Sequence, residues 1–347
     1  MKKILIINDS LGRGGAERVM VYLSEYFVRH NVLCELLTFR VADKEYPLPE
    51  KVTRVCVSGN PLKKIVGLRK AVKRSGADTV LIMGTPLCIY AIPALVGLKV
   101  KVVVSERNDP THFDGKKIVK IVSQRLIRFA DDFVFQTEDA KAYYSKRLKG
   151  RGCVIYNPLF TDGLPDAYVG ERAKRIVSAG RLMPQKNQSM LIDAFAKIHP
   201  EHPDYRLVIY GEGKLRCKLQ EQIDRLGLQE KICLPGSCSD VLEQMKDAAL
   251  FVLPSNFEGM PNVLIEAMAL GLPCISTDCP CGGPRELIRN GVDGVLVPVG
   301  NAETLACEIS RVLNDPELSA LLGKNATQIR ERLDVEKIGK EWLTFFS

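Results

Sequence analysis

Short runs of β-branched and other apolar residues recur at positions 4–7, 34–39, 79–83, 100–104, 133–136 and 154–156, each followed by a segment long enough for a helix. Continuous apolar runs of this length suit strands buried on both faces, and their alternation with helices predicts a parallel sheet wrapped by helices. The pattern then begins again, with runs at 176–179, 206–210, 231–234, 250–253, 274–277 and 294–297. Between the two sets, residues 157–170 are rich in Pro, Gly and Asp and read as a linker. The expected organisation is a first domain over 1–165, a second over 166–325, and a C-terminal helical stretch, 326–347, returning to the first. The fold class is α/β, with two doubly wound domains facing across a cleft between the carboxyl ends of their sheets, where ligands of such folds bind.

One stretch competes with this reading. Residues 79–98 carry no charge and have the length of a membrane span. Gly84, Pro86 and Pro93 interrupt it where an α/β unit places its turns, so it is expected as strand 79–83, a turn and a short apolar helix. The four apolar residues at 4–7 are too few for a signal-peptide apolar region and are expected as the first buried strand.

Composition fits an ordinary globular protein, 46% hydrophobic and 26% charged. The eleven cysteines are odd in number and lack disulfide-framework spacing, and with His199 and His202 they make no zinc pattern, which points to a reducing, cytoplasmic setting and to no metal site. Charge is uneven. Residues 1–165 hold 28 Lys and Arg against 16 Asp and Glu, and the remainder 21 against 25. The excess gathers in two expected amphipathic helices, 62–74 and 116–128, and points to an anionic partner. In the second, Lys117, Lys120 and Arg128 are expected on one face, opposed by an apolar stripe of Ile118, Ile121, Val122 and Leu126. No nucleic-acid motif accompanies them, so a membrane surface is favoured and nucleic acid is not.

Candidate chemistry sits where strands end. Glu258 and Glu266 flank a turn and a helix start: Pro261 suits the first turn, 262–270 are expected to be helical, and the free amides there can meet an anion or sugar oxygens. Gly180 permits a sharp exit from strand 176–179, and Arg181 and Lys186 follow as a clamp for a diphosphate leaving group. After strand 4–7 comes a glycine-rich turn with Gly12, Gly14 and Gly15 that opens a helix and lets amides approach phosphate. Gly211 and Gly213 mark a tight turn after 207–210.

Together, and in this order, these four sites resemble glycosyltransferase family 4, which has the GT-B fold of two Rossmann-like domains. The resemblance spans almost the whole chain. It implies that Arg181 and Lys186 hold the donor diphosphate, that Glu258 meets the donor sugar and Glu266 the ribose, and that Gly14 and Gly15 approach the phosphates. Gly211, Met260, Asn262 and Val263 complete the donor site, and Gly236 borders the base, uracil. It further implies a retaining reaction in which the departing diphosphate helps deprotonate the acceptor hydroxyl. Neither a metal nor another cofactor is required, the UDP-sugar being a substrate. Many members carry a His-Asp pair after the fourth strand of this pattern, whereas here the segment reads Ser105, Glu106, Arg107, Asn108, Asp109, Pro110. That variant resembles the bacterial subgroup, including N-acetylgalactosaminyltransferases, that builds lipid-linked oligosaccharides and surface polysaccharides. Glu106 and Arg107, with Lys117, Lys120 and Arg128, are the acceptor-site candidates, and His112 is set aside as too far into the loop.

The expected partners are therefore a UDP-sugar, a lipid-linked saccharide and an anionic membrane surface, with the protein peripheral on the cytoplasmic face of the inner membrane. Two alternatives remain beside this: a nucleotide-sugar epimerase on the same fold, and a non-catalytic nucleotide-sugar-binding subunit of a membrane assembly.

Overall fold

The structure is a computed structural model and describes all residues except 1, 13, 113–115, 162 and 347. The chain forms two compact units, Met1–Pro158 with Glu336–Ser347, and Leu159–Val335. The division falls at residue 158 and not 165 because 159–165 bond to the second unit: Leu159 N–H donates to Leu333 O (2.8 Å), and Arg330 holds Pro165 O (2.7 Å). The same bonds keep 326–335 with the second unit, so the return to the first begins at Glu336.

In the first unit, strands β1 (Lys3–Asn8), β2 (Leu33–Thr38), β3 (Thr53–Cys56), β4 (Thr79–Met83), β5 (Lys101–Ser105), β6 (Asp132–Phe135) and β7 (Cys153–Val154) form one parallel sheet, ordered β3-β2-β1-β4-β5-β6-β7. Ile4 to Ile7 are fully buried, as a central strand covered on both faces requires. Helices α1 (Gly15–Arg29), α2 (Pro61–Ser75), α3 (Cys88–Leu95), α4 (Lys117–Leu126) and α5 (Glu138–Leu148) cover it. Residues 79–98 are strand, turn and helix, and no helix among the described residues is long and apolar enough to cross a membrane.

Two features depart from expectation. β3 has no apolar run because it is an edge strand, half-exposed, and is pinned by Arg54, which reaches Thr38 Oγ1 (2.8 Å) and Glu45 Oε2 (2.5 Å). In α4, Ile118 and Ile121 do not oppose the cations; they are exposed with them, Ile118 at 61%. Ser123 and Ile127 turn inward instead, on a helix that packs against the turn at 85–87, while Lys120 is drawn in to donate to Thr111 O.

The second unit repeats the design with β8 (Ala173–Ala179), β9 (Arg206–Tyr210), β10 (Ile232–Gly236), β11 (Ala248–Leu253), β12 (Cys274–Thr277) and β13 (Val295–Val297), ordered β10-β9-β8-β11-β12-β13 and all parallel. Its helices are α6 (Gln188–Ile198), α7 (Arg216–Arg225), α8 (Val241–Met245), α9 (Asn262–Ala269), α10 (Gly283–Leu287), α11 (Ala302–Asn314), α12 (Pro316–Ala326) and α13 (Ile329–Arg332). The last helix, α14 (Val335–Phe346), packs on α1: Trp342 and Phe346 are buried, Phe346 meets Phe27 edge-on at 5.7 Å, and Tyr26 OH donates to Glu336 O (3.2 Å). Gly339 lies against the Tyr26 ring, where any Cβ would fall 2.4 Å from it.

Candidate functional site

Each sheet reverses its strand order once, between β8 and β11 in the second unit and between β1 and β4 in the first. Connections on either side of such a point leave in opposite directions, which opens a crevice at the strands' carboxyl ends. Arg181 and Lys186 follow β8 and Glu258 follows β11; in the first unit Gly14 and Gly15 follow β1, whereas Glu106 and Arg107 follow β5 and Lys117, Lys120 and Arg128 lie on or just after α4.

In the second unit the loop after β8 brings Lys186 to Glu258 from the loop after β11. Lys186 Nζ lies 2.6 Å from Glu258 Oε1, and the two side chains are only 15% and 7% exposed. Ser255 Oγ donates to the same oxygen (2.6 Å) and Gln185 Nε2 to the other (3.4 Å), so the carboxylate is aimed by three donors. Asn187 Nδ2 bonds Asn256 Oδ1 (3.0 Å), and Asn256 returns N–H groups to Gln185 O and Pro184 O (both 2.8 Å), locking the loops together. Arg181 is exposed, and among the described residues its guanidinium has no hydrogen-bonding or ion-pair partner.

The floor of this crevice is backbone. A Cβ on Gly211 would lie 2.0 Å from Gly180 O, and one on Gly283 would lie 1.6 Å from Gly259 O, so both close approaches exclude any other residue. Gly211 N–H donates to Gly236 O (2.8 Å), which sets Gly180, Gly211 and Gly236 at the ends of three adjacent strands. Pro261 takes the N-cap of α9 and not its first turn, and Leu270 its C-cap. Leu264 N–H and Ile265 N–H both donate to Pro261 O (3.1 and 3.3 Å), so the helix's own bonds begin there and the Asn262 and Val263 N–H groups lie ahead of them. Met260 and Glu266 are buried, Glu266 one turn along the helix and not on the surface. Sequence reading missed Ser255, Gln185 and Asn256; the Ser and Asn of the turn beside Glu258 were the available signal. The nearby Cys279 is buried, which pushes its thiol up to about 12, with the Glu258 charge adding.

In the first unit, Gly14 caps α1 in an extended conformation, and Glu17 folds back over it. Asn8 Nδ2, at the end of β1, is buried without a hydrogen-bond acceptor among the described residues. Glu106 is buried after β5 and accepts from Thr85 Oγ1, Tyr144 OH (3.1 Å) and the Arg107 N–H (3.0 Å). Burial raises its pKa above the usual carboxylate value, partly offset by those bonds. Glu106 and Arg107 form no ion pair. Arg107 turns instead to Asn157 Oδ1 and, at 3.4 Å, Ser105 Oγ; Gln136, in the amide orientation that satisfies both its ends, donates to Arg107 O (2.8 Å). Burial lowers the Arg107 pKa to about 10, with the Glu106 charge partly opposing it.

His112, left out of the acceptor-site candidates, contacts a carboxylate in this loop. His112 Nδ1 is 2.6 Å from Asp109 Oδ2, and Asp109, almost wholly buried, also accepts from the Thr111 N–H (2.8 Å). An Asp followed by Pro-Thr-His, a turn closing on its own carboxylate, was the signal. No cluster of three or more His, Cys, Asp or Glu suited to a metal occurs among the described residues.

Comparison with known proteins agrees with this geometry. The family described as Glycosyltransferase Family 4 matches residues 13–162, and Glycosyl transferases group 1 matches 168–329. HepE from Anabaena, solved with UDP and glucose, has the same fold, with a TM-score of 0.83 over 100% of this chain and 99% of that one at 22% identity. The two family matches, on two doubly wound units, define a glycosyltransferase of the GT-B fold. Within that class the chain belongs to glycosyltransferase family 4 and is an enzyme of the transferase kind.

Two Campylobacter jejuni proteins are similar along their whole length. The α-1,4-N-acetyl-D-galactosaminyltransferase named for GalNAc-GalNAc-diNAcBac-PP-undecaprenol is 29% identical over 99% of this chain and 98% of its own. The N-acetylgalactosamine-N,N'-diacetylbacillosaminyl-diphospho-undecaprenol 4-α-N-acetylgalactosaminyltransferase is 28% identical over 99% of both.

Proposed function

We propose that this enzyme transfers a hexose or N-acetylhexosamine from a UDP-sugar to a polyprenyl-diphosphate-linked saccharide, with retention of anomeric configuration and without a metal. The observation that carries this reading is the Lys186–Glu258 pair beside the unpaired Arg181 at the β8/β11 crevice. As the bond between the anomeric carbon and the diphosphate breaks, negative charge grows on the leaving oxygens. Cations already fixed there stabilise that charge more than they stabilise the intact donor, which lowers the barrier. Arg181 supplies a planar fork and Lys186 a point charge. Glu258, held by Ser255 and Gln185, presents its oxygens to sugar hydroxyls. The incoming acceptor hydroxyl loses its proton to the departing diphosphate on the same face, so no protein base is required and configuration is kept.

The acceptor class is supported by the two Campylobacter proteins, whose names place undecaprenyl-linked saccharides as their substrates. A lipid-linked acceptor puts the enzyme at the cytoplasmic face of the inner membrane. The test is incubation with a panel of UDP-sugars and a bacterial membrane lipid extract, with EDTA present, followed by mass measurement of the lipid and NMR assignment of the new anomeric centre. A mass increment of one hexose or N-acetylhexosamine with the donor's configuration is expected. An inverted product, a reaction that stops with EDTA, or UDP release without any lipid product would each reject the corresponding part.

A further inference from the structure

The loop after β5 holds a histidine and a carboxylate that the transfer chemistry above does not use. Asp109 closes a turn: its carboxylate accepts from the Thr111 N–H and the Thr111 hydroxyl (both 2.8 Å), and its carbonyl accepts from the His112 N–H (3.2 Å). Those bonds are enough to close a turn of this kind. The same carboxylate nevertheless takes His112 Nδ1 as well, at 2.6 Å. The next two carbonyls are also occupied, Pro110 O by Gln124 Nε2 (3.0 Å) and Thr111 O by Lys120 Nζ, so the turn is fastened to α4. The Asp109 side chain is 1% exposed and that of His112 46%, so the ring stands at the surface on a rigid, buried base. Glu106, at the start of the same loop, is buried and bonded to Thr85 and Tyr144 inside the unit.

A carboxylate accepts and does not donate, so Nδ1 of the neutral ring carries the proton and Nε2 is left as a hydrogen-bond acceptor. Such an acceptor suits an O–H group and repels phosphate oxygens. We infer that His112 Nε2 accepts from a hydroxyl of the acceptor sugar beside the one that reacts, with Asp109 as the positioning residue that fixes the ring and its tautomer. The inference deepens the transfer reading and rests on it, with the first unit taking the acceptor. The reacting hydroxyl keeps its proton for the departing diphosphate. Its oxygen bonds to the anomeric carbon as the bond from that carbon to the diphosphate breaks, and the diphosphate leaves with the electron pair and takes the proton. His112 exchanges no proton; it decides which hydroxyl of the acceptor is presented.

Transfer rates of the full chain, measured with a UDP-sugar against a dilution series of bacterial membrane lipid extract, test it. His112→Ala should raise the half-saturating extract concentration about tenfold, the scale of one lost hydrogen bond. Turnover at saturation should change by no more than about twofold, and UDP affinity should be kept. Two amide variants separate recognition from turn closure. His112→Gln carries its amide near the Nε2 position and should recover part of the loss, whereas His112→Asn can still meet Asp109 from the Nδ1 position but reaches no further, and should behave as His112→Ala. The reverse order, with His112→Asn close to native and His112→Gln not, would make the bond a structural cap and overturn the inference. Native half-saturation in His112→Ala, or a fall in turnover with half-saturation unchanged, would overturn it too. Transfer by the native protein that is indifferent to His112 overturns this inference alone, while a native protein that extends no lipid with any UDP-sugar overturns the transfer reading and the inference with it.

Discussion

Lys186 and Glu258 are 72 positions apart in sequence and 2.6 Å apart in space, an ion pair closed by the Ser255 hydroxyl on the same carboxylate oxygen. Such a pair couples folding to chemistry, because removing either partner leaves a mostly buried charge with fewer bonds. Lys186→Ala should lower turnover by about 10² and stability by about 2 kcal/mol. The double variant with Glu258→Ala should lose less stability than the two single losses added. Urea denaturation and UDP-release kinetics on the four proteins check this, and strictly additive stability losses would show the pair to be uncoupled.

Arg181 separates the two roles. It is exposed with no partner among the described residues, so Arg181→Ala should change stability by no more than about 0.5 kcal/mol and still lower turnover by about 10². Arg181→Lys should recover only part of the rate, since an ammonium cannot grip two oxygens at once. Normal turnover in Arg181→Ala would remove it from the diphosphate clamp.

Gly283 holds the Glu258 loop by closeness alone. A methyl group there would meet Gly259 O at 1.6 Å and Pro261 Cδ at 3.2 Å, so Gly283→Ala should destabilise by about 2 to 3 kcal/mol. UDP-sugar affinity should fall with it. Gly76→Ala, at the left-handed C-cap of α2 with open space around it, should cost about 1 kcal/mol and leave affinity unchanged. Chemical denaturation with calorimetric titration distinguishes the two; equal affinities would mean that the loop contact does not shape the donor site.

Glu106 should make stability depend on pH. Its folded pKa is raised by burial, so its contribution is full below the unfolded value and is lost as pH rises through the folded one. Glu106→Gln cannot ionise. The melting temperature of Glu106→Gln minus that of the native protein should therefore increase as pH climbs from acid toward neutrality. A difference that is flat, or that shrinks, would mean that the carboxylate's hydrogen bonds outweigh its desolvation.

What the sequence determined is local in origin. Buried strands such as Ile4 to Ile7 and Thr79 to Met83 announce themselves because both faces must be apolar, and their alternation with helices is enough to define two parallel sheets. Arg181, Lys186 and Glu258 drew notice in the sequence because each follows a strand, and the structure places them beyond β8 and β11; Glu266 is buried one turn into α9. The tertiary structure alone decided who meets whom. No local pattern reports that Lys186 pairs with Glu258 or that Arg107 turns to Asn157 and away from its neighbour Glu106. It also decided which side of α4 faces outward. Residues 117–128 carry apolar groups around most of the helix, so periodicity leaves its orientation open, and packing of α4 against the 85–87 turn settles it, burying Ser123 and Ile127 and placing Ile118 and Ile121 outside among the cations. Edge strand β3 was missed for the same reason: a strand needs an apolar run only where it is buried on both faces, and β3 is held by one sheet neighbour and by Arg54.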